Sequence, residues 1–78
     1  MRLRVEEISE GPGPGEVVVA IRTSTGVEQV VVHKASIENG TIEVGFPIHQ
    51  RQQTALVELP RESVTGRWRI WVPEASVS

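Results

Sequence analysis

The sequence predicts an all-β fold, a small antiparallel barrel or sandwich of about six strands built on two consecutive hairpins. Three observations predict it: valine, isoleucine and threonine are frequent, glycine and proline interrupt the chain at short intervals, and apolar residues alternate with polar ones. Only residues 48–59 have an arguable helical period. The alternative is therefore an α+β fold with one short helix there.

The length of 78 residues predicts a single domain spanning residues 1–78. A domain of this size buries only about 60% of the surface that its unfolded chain exposes, so it often needs a staple or a partner. The chain has no cysteine, which leaves neither a disulfide nor a thiolate metal site as the staple. We therefore expect a homo-oligomer, with a dimer as the first expectation.

The first predicted strand covers residues 2–8, where Leu3 and Val5 alternate with charged residues. Residues 11–15, Gly-Pro-Gly-Pro-Gly, follow as a flexible loop. A phosphate-binding loop presents successive backbone N–H groups, and both prolines lack one. The loop is therefore interpreted as a connection and not as an anion site.

A hairpin is predicted from residues 16–23 and 27–38, joined by a three-residue loop, Ser24-Thr25-Gly26, that ends in glycine. This loop length sets the register, which pairs Val19 with Val31 and Val18 with Val32. It also aligns opposite charges near both ends of the hairpin, Arg22 with Glu28 and Glu16 with Lys34.

The second hairpin is predicted at Asn39-Gly40, because both central residues of a type I′ turn need positive φ. It extends the first hairpin into a three-stranded meander. One face of this meander is the predicted core: Val17, Val19, Ile21, Val31, His33, Ala35, Ile37, Ile42, Val44 and Phe46. The opposite face carries an apolar centre inside a charged rim and is the candidate interface: Val18, Ala20, Val30 and Val32.

The segment from Pro47 to Thr54 is polar and is predicted as a loop or the start of the short helix. A strand is favoured at residues 55–59, and the last strand at residues 67–72. Its alternation assigns Trp68, Ile70 and Val72 to the core and exposes Arg67, Arg69 and Trp71. The tail, residues 74–78, is predicted to be disordered.

No catalytic, cofactor-binding or metal-binding residue is predicted. The chain has no aspartate or cysteine, and its two histidines, His33 and His49, lack ligand-like spacing with glutamate. His33 is interpreted as a half-buried strand-end residue packed on Phe46, and His49 as part of a solvated loop. A small enzyme remains an alternative only if its site is shared between subunits.

Arg67, Arg69 and Trp71 form a candidate ligand surface, since two cations beside an aromatic plane suit single-stranded nucleic acid. The net charge of −2 argues against this alternative, because a nucleic-acid-binding face normally makes a domain basic. Charge is unevenly spread, however. Residues 51–78 carry four arginines against three glutamates, whereas residues 1–50 are net acidic.

The function predicted from these features is non-catalytic. The chain is expected to act as a binding or assembly module that self-associates, or docks a protein partner, through the valine-rich face. The longest apolar stretch, Val17 to Ile21, is too short to span a bilayer, and no basic segment followed by an apolar run begins the sequence. A cytoplasmic location without a membrane partner is expected.

Overall fold

The computed structural model describes residues 1–78 and is built from eight strands and two 3₁₀ turns. The strands are β1 (Arg2–Arg4), β2 (Glu6–Glu10), β3 (Glu16–Thr23), β4 (Gly26–His33), β5 (Thr41–Glu43), β6 (His49–Arg51), β7 (Thr54–Glu58) and β8 (Arg69–Pro73). They form three antiparallel sheets, β1–β5, β2–β3–β4 and β6–β7–β8. The all-β prediction is confirmed, and the region of the alternative helix contains two strands instead.

The first predicted strand is divided between two sheets. Arg2–Arg4 pairs with β5, whereas Glu6–Glu10 pairs with β3 and contains a bulge between Glu7 and Ser9. The chain changes sheet at the buried Val5, whose N–H donates to the Gly40 carbonyl at 2.9 Å. This residue therefore links the two sheets covalently and through the core.

The β3–β4 hairpin has a two-residue loop, Ser24-Thr25, and its register is one residue away from the predicted one. Val17 lies opposite Val32 and Val19 lies opposite Val30, so both Val30 and Val32 face the core. Their assignment to an exposed interface was wrong. Full burial of a valine contributes about 1.5 kcal/mol or more, whereas a surface ion pair contributes only a few tenths.

Asn39 and Gly40 have φ values of 51° and 72°, as the predicted type I′ turn requires. Glu38 and Thr41 exchange two backbone hydrogen bonds of 2.9 Å across it. The predicted meander does not continue, because β4 ends at His33, a 3₁₀ turn covers Lys34–Ser36, and β5 pairs with β1. Five predicted core residues are consequently not fully buried: Val31 and Ile37 are half-buried, and His33, Ala35 and Phe46 are exposed.

The third sheet contains one strand that was not predicted, β6. It is joined to β7 by Gln52-Gln53, and both residues have positive φ, 50° and 67°, without any glycine. β7 and β8 lie within one or two residues of their predicted positions. Ile70 and Val72 are buried as predicted, but Trp68 is 52% exposed because β8 begins after it.

The C-terminal tail, which was predicted to be disordered, lies beside β1 in the structure. Val77 forms a β-bridge with Leu3, and Arg2 and Ser78 exchange two backbone hydrogen bonds of 2.9 and 3.0 Å. A second 3₁₀ turn, Glu74–Ser76, leads the chain into this position. The tail therefore acts as a short partner to β1.

The core is one cluster of fourteen buried aliphatic side chains, to which all three sheets contribute. Its members are Leu3, Val5, Val17, Val19, Ile21, Val30, Val32, Ile42, Val44, Ala55, Val57, Leu59, Ile70 and Val72. No aromatic residue belongs to it. The two tryptophans and the single phenylalanine are therefore left for other parts of the molecule.

Candidate binding surfaces

The solvent side of the β3–β4 hairpin carries four apolar residues, here called the outer hairpin face: Val18, Ala20, Val27 and Val31. They share this side because they alternate with the core residues of the same strands. Val18, Ala20 and Val31 are half-buried, whereas Val27 is 65% exposed. Of the predicted interface, Val18 and Ala20 are on this face.

A groove of about 560 Å³, here called the first groove, lies between the outer hairpin face and the C-terminal 3₁₀ turn. Ala20, Val27 and Ala75 contribute to its apolar lining, and Arg4 and Arg22 contribute two guanidinium groups. Neither arginine side chain makes a hydrogen bond or ion pair within the chain. The arginines that do are others, such as Arg2 and Arg61. The first groove therefore presents two unpaired guanidinium groups, and at its β2 side the unpaired Glu6 carboxylate, beside an apolar surface.

The hairpin tip is held against β8 by a hydrogen bond of 2.9 Å from the Ser24 N–H to the Trp71 carbonyl. Beside this contact lies a second groove, of about 220 Å³, which contains Arg67, Arg69 and Trp71. The structure thus brings the predicted ligand surface together. Val27 lines both grooves, so it lies at their common boundary.

Trp71 already has two partners in this surface. The Arg51 guanidinium lies 4.6 Å from the centroid of the Trp71 rings, and the His49 ring meets it edge-on at 5.9 Å. Both partners come from β6, the strand that sequence patterning did not predict, so neither contact could be anticipated. The arrangement leaves less of the indole open for base stacking.

The two arginines beside Trp71 also have carboxylate neighbours. Arg69 Nε is 3.5 Å from Glu58 Oε2, and Arg67 Nε is 3.9 Å from Glu28 Oε2. The Arg69 pair is more than half exposed on both sides, so it contributes little to stability. Both pairs nevertheless lower the positive potential that a phosphate backbone would meet.

Glu28 fastens the loop before β8 to β4. Its side chain is only 11% exposed, and its Oε1 accepts hydrogen bonds from the hydroxyls of Ser63, at 2.9 Å, and Thr65. The Thr65 bond lowers the pKa of Glu28 most; burial opposes that effect, and Ser63 and Arg67 lower the pKa further. Glu28 thereby positions Arg67, whose N–H donates to Ser63 Oγ at 3.0 Å.

Three exposed side chains form what we call the aromatic end: Phe46, Ile48 and Trp68, which are 84%, 46% and 52% exposed. Phe46 and Ile48 precede β6, and Trp68 precedes β8. Because β6 and β8 both run antiparallel to β7, their starting points lie at the same end of the sheet. The sequence had assigned Phe46 and Trp68 to the core.

Strand β2 is an acidic edge. All five of its residues are exposed, and Glu6, Glu7 and Glu10 form no ion pair within the chain, whose salt bridges use other carboxylates. Ile8, in the bulged region, is 44% exposed. Only one side of β2 pairs with a neighbour, so its other backbone edge is open.

The remaining titratable groups do not gather into a site. His33 is exposed at the end of β4, and no three histidine or acidic residues are placed to hold a metal ion. No helix has the length and apolar character needed to cross a membrane. Comparison with protein-family models, with curated proteins and with solved structures finds no match.

Proposed function

We propose that this chain is a non-catalytic assembly module that self-associates, as a dimer, through the outer hairpin face. One observation carries the proposal: Val27, 65% exposed, lies at the boundary of two grooves and on the same face as Val18, Ala20 and Val31. Charged residues line both grooves beside this apolar strip, two arginines and one glutamate in each. An apolar centre inside a charged rim is the anatomy of a protein interface.

The small aliphatic core supports the same proposal. A domain of this size gains only a few kcal/mol from one core, and burying a second apolar strip between two copies adds to it. In a two-fold dimer the outer hairpin faces of both copies would be covered. Because association itself costs several kcal/mol and these side chains are small, we expect a dissociation constant on the order of 1 μM.

The test is the mass in solution, measured by size-exclusion chromatography with light scattering over a dilution series. Val27→Lys should make the chain monomeric, because it removes an apolar contact at the boundary of the two grooves and would force a charged group out of water on association. Val64→Lys is the matched control, since Val64 is 64% exposed but lies outside both grooves. A wild-type chain that stays monomeric at the highest concentration would overturn the proposal.

A second candidate function is docking of a different protein at the aromatic end, favoured by the 84% exposure of Phe46. Aromatic residues in the open are frequent anchors of protein interfaces. The mass in solution of Phe46→Ser and Trp68→Ser distinguishes the aromatic end from the self-association surface. If they leave the dimer mass unchanged, the aromatic end is free for another partner; if they dissociate it, the aromatic end is the self-interface.

Single-stranded nucleic acid is supported less well, because Arg51 covers Trp71 and because Arg67 and Arg69 have carboxylate neighbours. Fluorescence anisotropy with labelled oligo-dT at low salt tests this alternative directly. An enzyme site shared between subunits is supported least, since no histidine lines either groove to act as an acid or base.

A further inference from the structure

We propose that the dimer is two-fold symmetric and that the acidic strand β2 of each copy lies against the first groove of the other copy. The inference rests on the proposed self-association and names the second contact that completes the interface. Its occupant is a defined segment of this chain, Glu-Glu-Ile-Ser-Glu at residues 6–10.

Charge complementarity is the first argument. Arg4 and Arg22 in the first groove have no carboxylate within ion-pair distance, although the chain forms five ion pairs elsewhere. The three glutamates of β2 are likewise unpaired and exposed. Free charges of opposite sign are therefore displayed on neighbouring parts of one molecular surface, where a second copy can pair them.

The adjacency of the two patches is the second argument, and it sets the symmetry. Glu6 belongs to β2 and also lines the first groove, so strand and groove are contiguous. In an isologous interface the same surface serves both subunits: strand meets groove on one side of the two-fold axis and groove meets strand on the other. Contiguous patches of opposite character allow this closure, so the assembly stops at two copies.

Apolar contacts accompany the charges. Ile8 projects from β2 with 44% of its surface exposed, and Ala20, Val27 and Ala75 line the groove that would receive the strand. Strand β2 thus offers an isoleucine between acidic residues to a surface that offers small apolar residues between arginines. The outer hairpin face and the first groove share Ala20 and Val27, so both contacts belong to one interface.

Direct pairing of β2 with β2 of another copy is the competing use of the open edge. A two-fold antiparallel pairing would set several glutamates of one strand close to those of the other, which is destabilising. Charged residues and a bulge are common protections of an edge strand against such pairing. The groove is therefore the favoured partner of the strand.

Charge reversal tests the arrangement with two variants of the whole chain. The acid-reversed variant carries Glu7→Arg and Glu10→Arg, and the base-reversed variant carries Arg4→Glu and Arg22→Glu. These four side chains are exposed and form no internal ion pair, so circular dichroism should show an unchanged fold. Each variant alone should lose at least tenfold in dimer affinity, because like charges then face each other twice.

An equimolar mixture of the two variants should recover a heterodimer. In it the arginine-bearing strand of one copy meets the glutamate-bearing groove of the other, while the second contact keeps the wild-type charges. The chain with all four substitutions should recover a homodimer. Double reversal of Glu38 and Glu62, which are exposed, unpaired and outside both grooves, serves as the control and should leave the dimer unchanged.

The outcomes separate this inference from the proposed function. If the wild type is a monomer, the self-association proposal itself fails. If it is a dimer whose mass is unaffected by either reversal, or if the mixture stays monomeric, the two-fold strand-in-groove arrangement is wrong, whatever Val27→Lys shows. Recovery only in the mixture and in the fourfold variant supports it, and wild-type affinity should then weaken about tenfold between low and high salt.

Discussion

Replacing Val30 and Val31 by alanine, one at a time, distinguishes the two possible registers of the β3–β4 hairpin. Val30 is completely buried and lies opposite Val19, whereas Val31 is half-buried on the outer face. Valine to alanine removes two carbons, worth about 1.6 kcal/mol of transfer free energy, and leaves a small cavity. We expect Val30→Ala to cost about 2 kcal/mol and Val31→Ala less than about 1 kcal/mol.

The free energy of unfolding is measured in urea, at a protein concentration where the chain is monomeric, so that any interface contribution of Val31 is absent. A loss of about 2 kcal/mol is a large part of the total for a 78-residue domain, and should lower the melting temperature by roughly 10 °C. Val19→Ala is the positive control, since Val19 faces the core in either register. If Val31→Ala destabilises more than Val30→Ala, the hairpin has a three-residue loop and the two faces of β4 are reversed.

Three further changes test local features. Asn39-Gly40 to Ala-Ala should cost about 1 kcal/mol or more of unfolding free energy, because both positions need positive φ; a neutral result in urea would place the turn elsewhere. Gln52-Gln53 to Asn-Gly should instead raise the melting temperature by several degrees, since glutamine is strained at φ values of 50° and 67°. Glu28→Gln should make the unfolding free energy depend less on pH in the acid range. Folding lowers the pKa of Glu28, so its carboxylate stabilises the fold above the unfolded pKa, and this stability is lost as the pH falls below about 4.5. Equal slopes for the variant and the wild type between pH 7 and pH 3.5 would show that the Glu28 carboxylate is not held this way.

The strand positions were largely predictable from sequence, because they depend on local alternation of apolar and polar residues. Glu16–Thr23 was predicted to the residue, and both Asn39-Gly40 and the buried alternation at Ile70 and Val72 were located correctly. Strand β6 could not be located, since its turn uses two glutamines where glycine or asparagine is usual. Its signal is absent from the local sequence.

The register of the central hairpin was missed for a different reason. The predicted register rested on a three-residue loop ending in Gly26 and was supported by the pairs of Glu28 with Arg22 and of Glu16 with Lys34. In the structure Glu28 accepts hydrogen bonds from Ser63 and Thr65, more than thirty residues away, and Glu16 is 3.2 Å from Arg61. Charged side chains have several alternative partners in a folded chain, so local charge pairs are weak guides to register.

The difference between local alternation and contacts of distant residues also explains which parts of the candidate surfaces could be predicted. The Arg67, Arg69 and Trp71 surface was predicted from alternation along residues 67–72, although β8 begins at Arg69 and Arg67 lies in the loop before it. The first groove could not be found, because Arg4, Arg22 and Ala75 come from distant parts of the chain and meet only through the fold.

The exposed aromatic residues reduce the apolar area that the fold buries. Alternation assigned Trp68 to the core, yet the structure fills the core with aliphatic side chains and leaves Trp68 52% exposed. In so small a domain, moving a tryptophan and a phenylalanine out of the core gives up a large share of the apolar area available for folding. Such a loss is recovered if a partner covers these residues. Phe46, Ile48 and Trp68 line neither groove, so the proposed dimer would present the aromatic end twice, to a second protein bound at two equivalent sites.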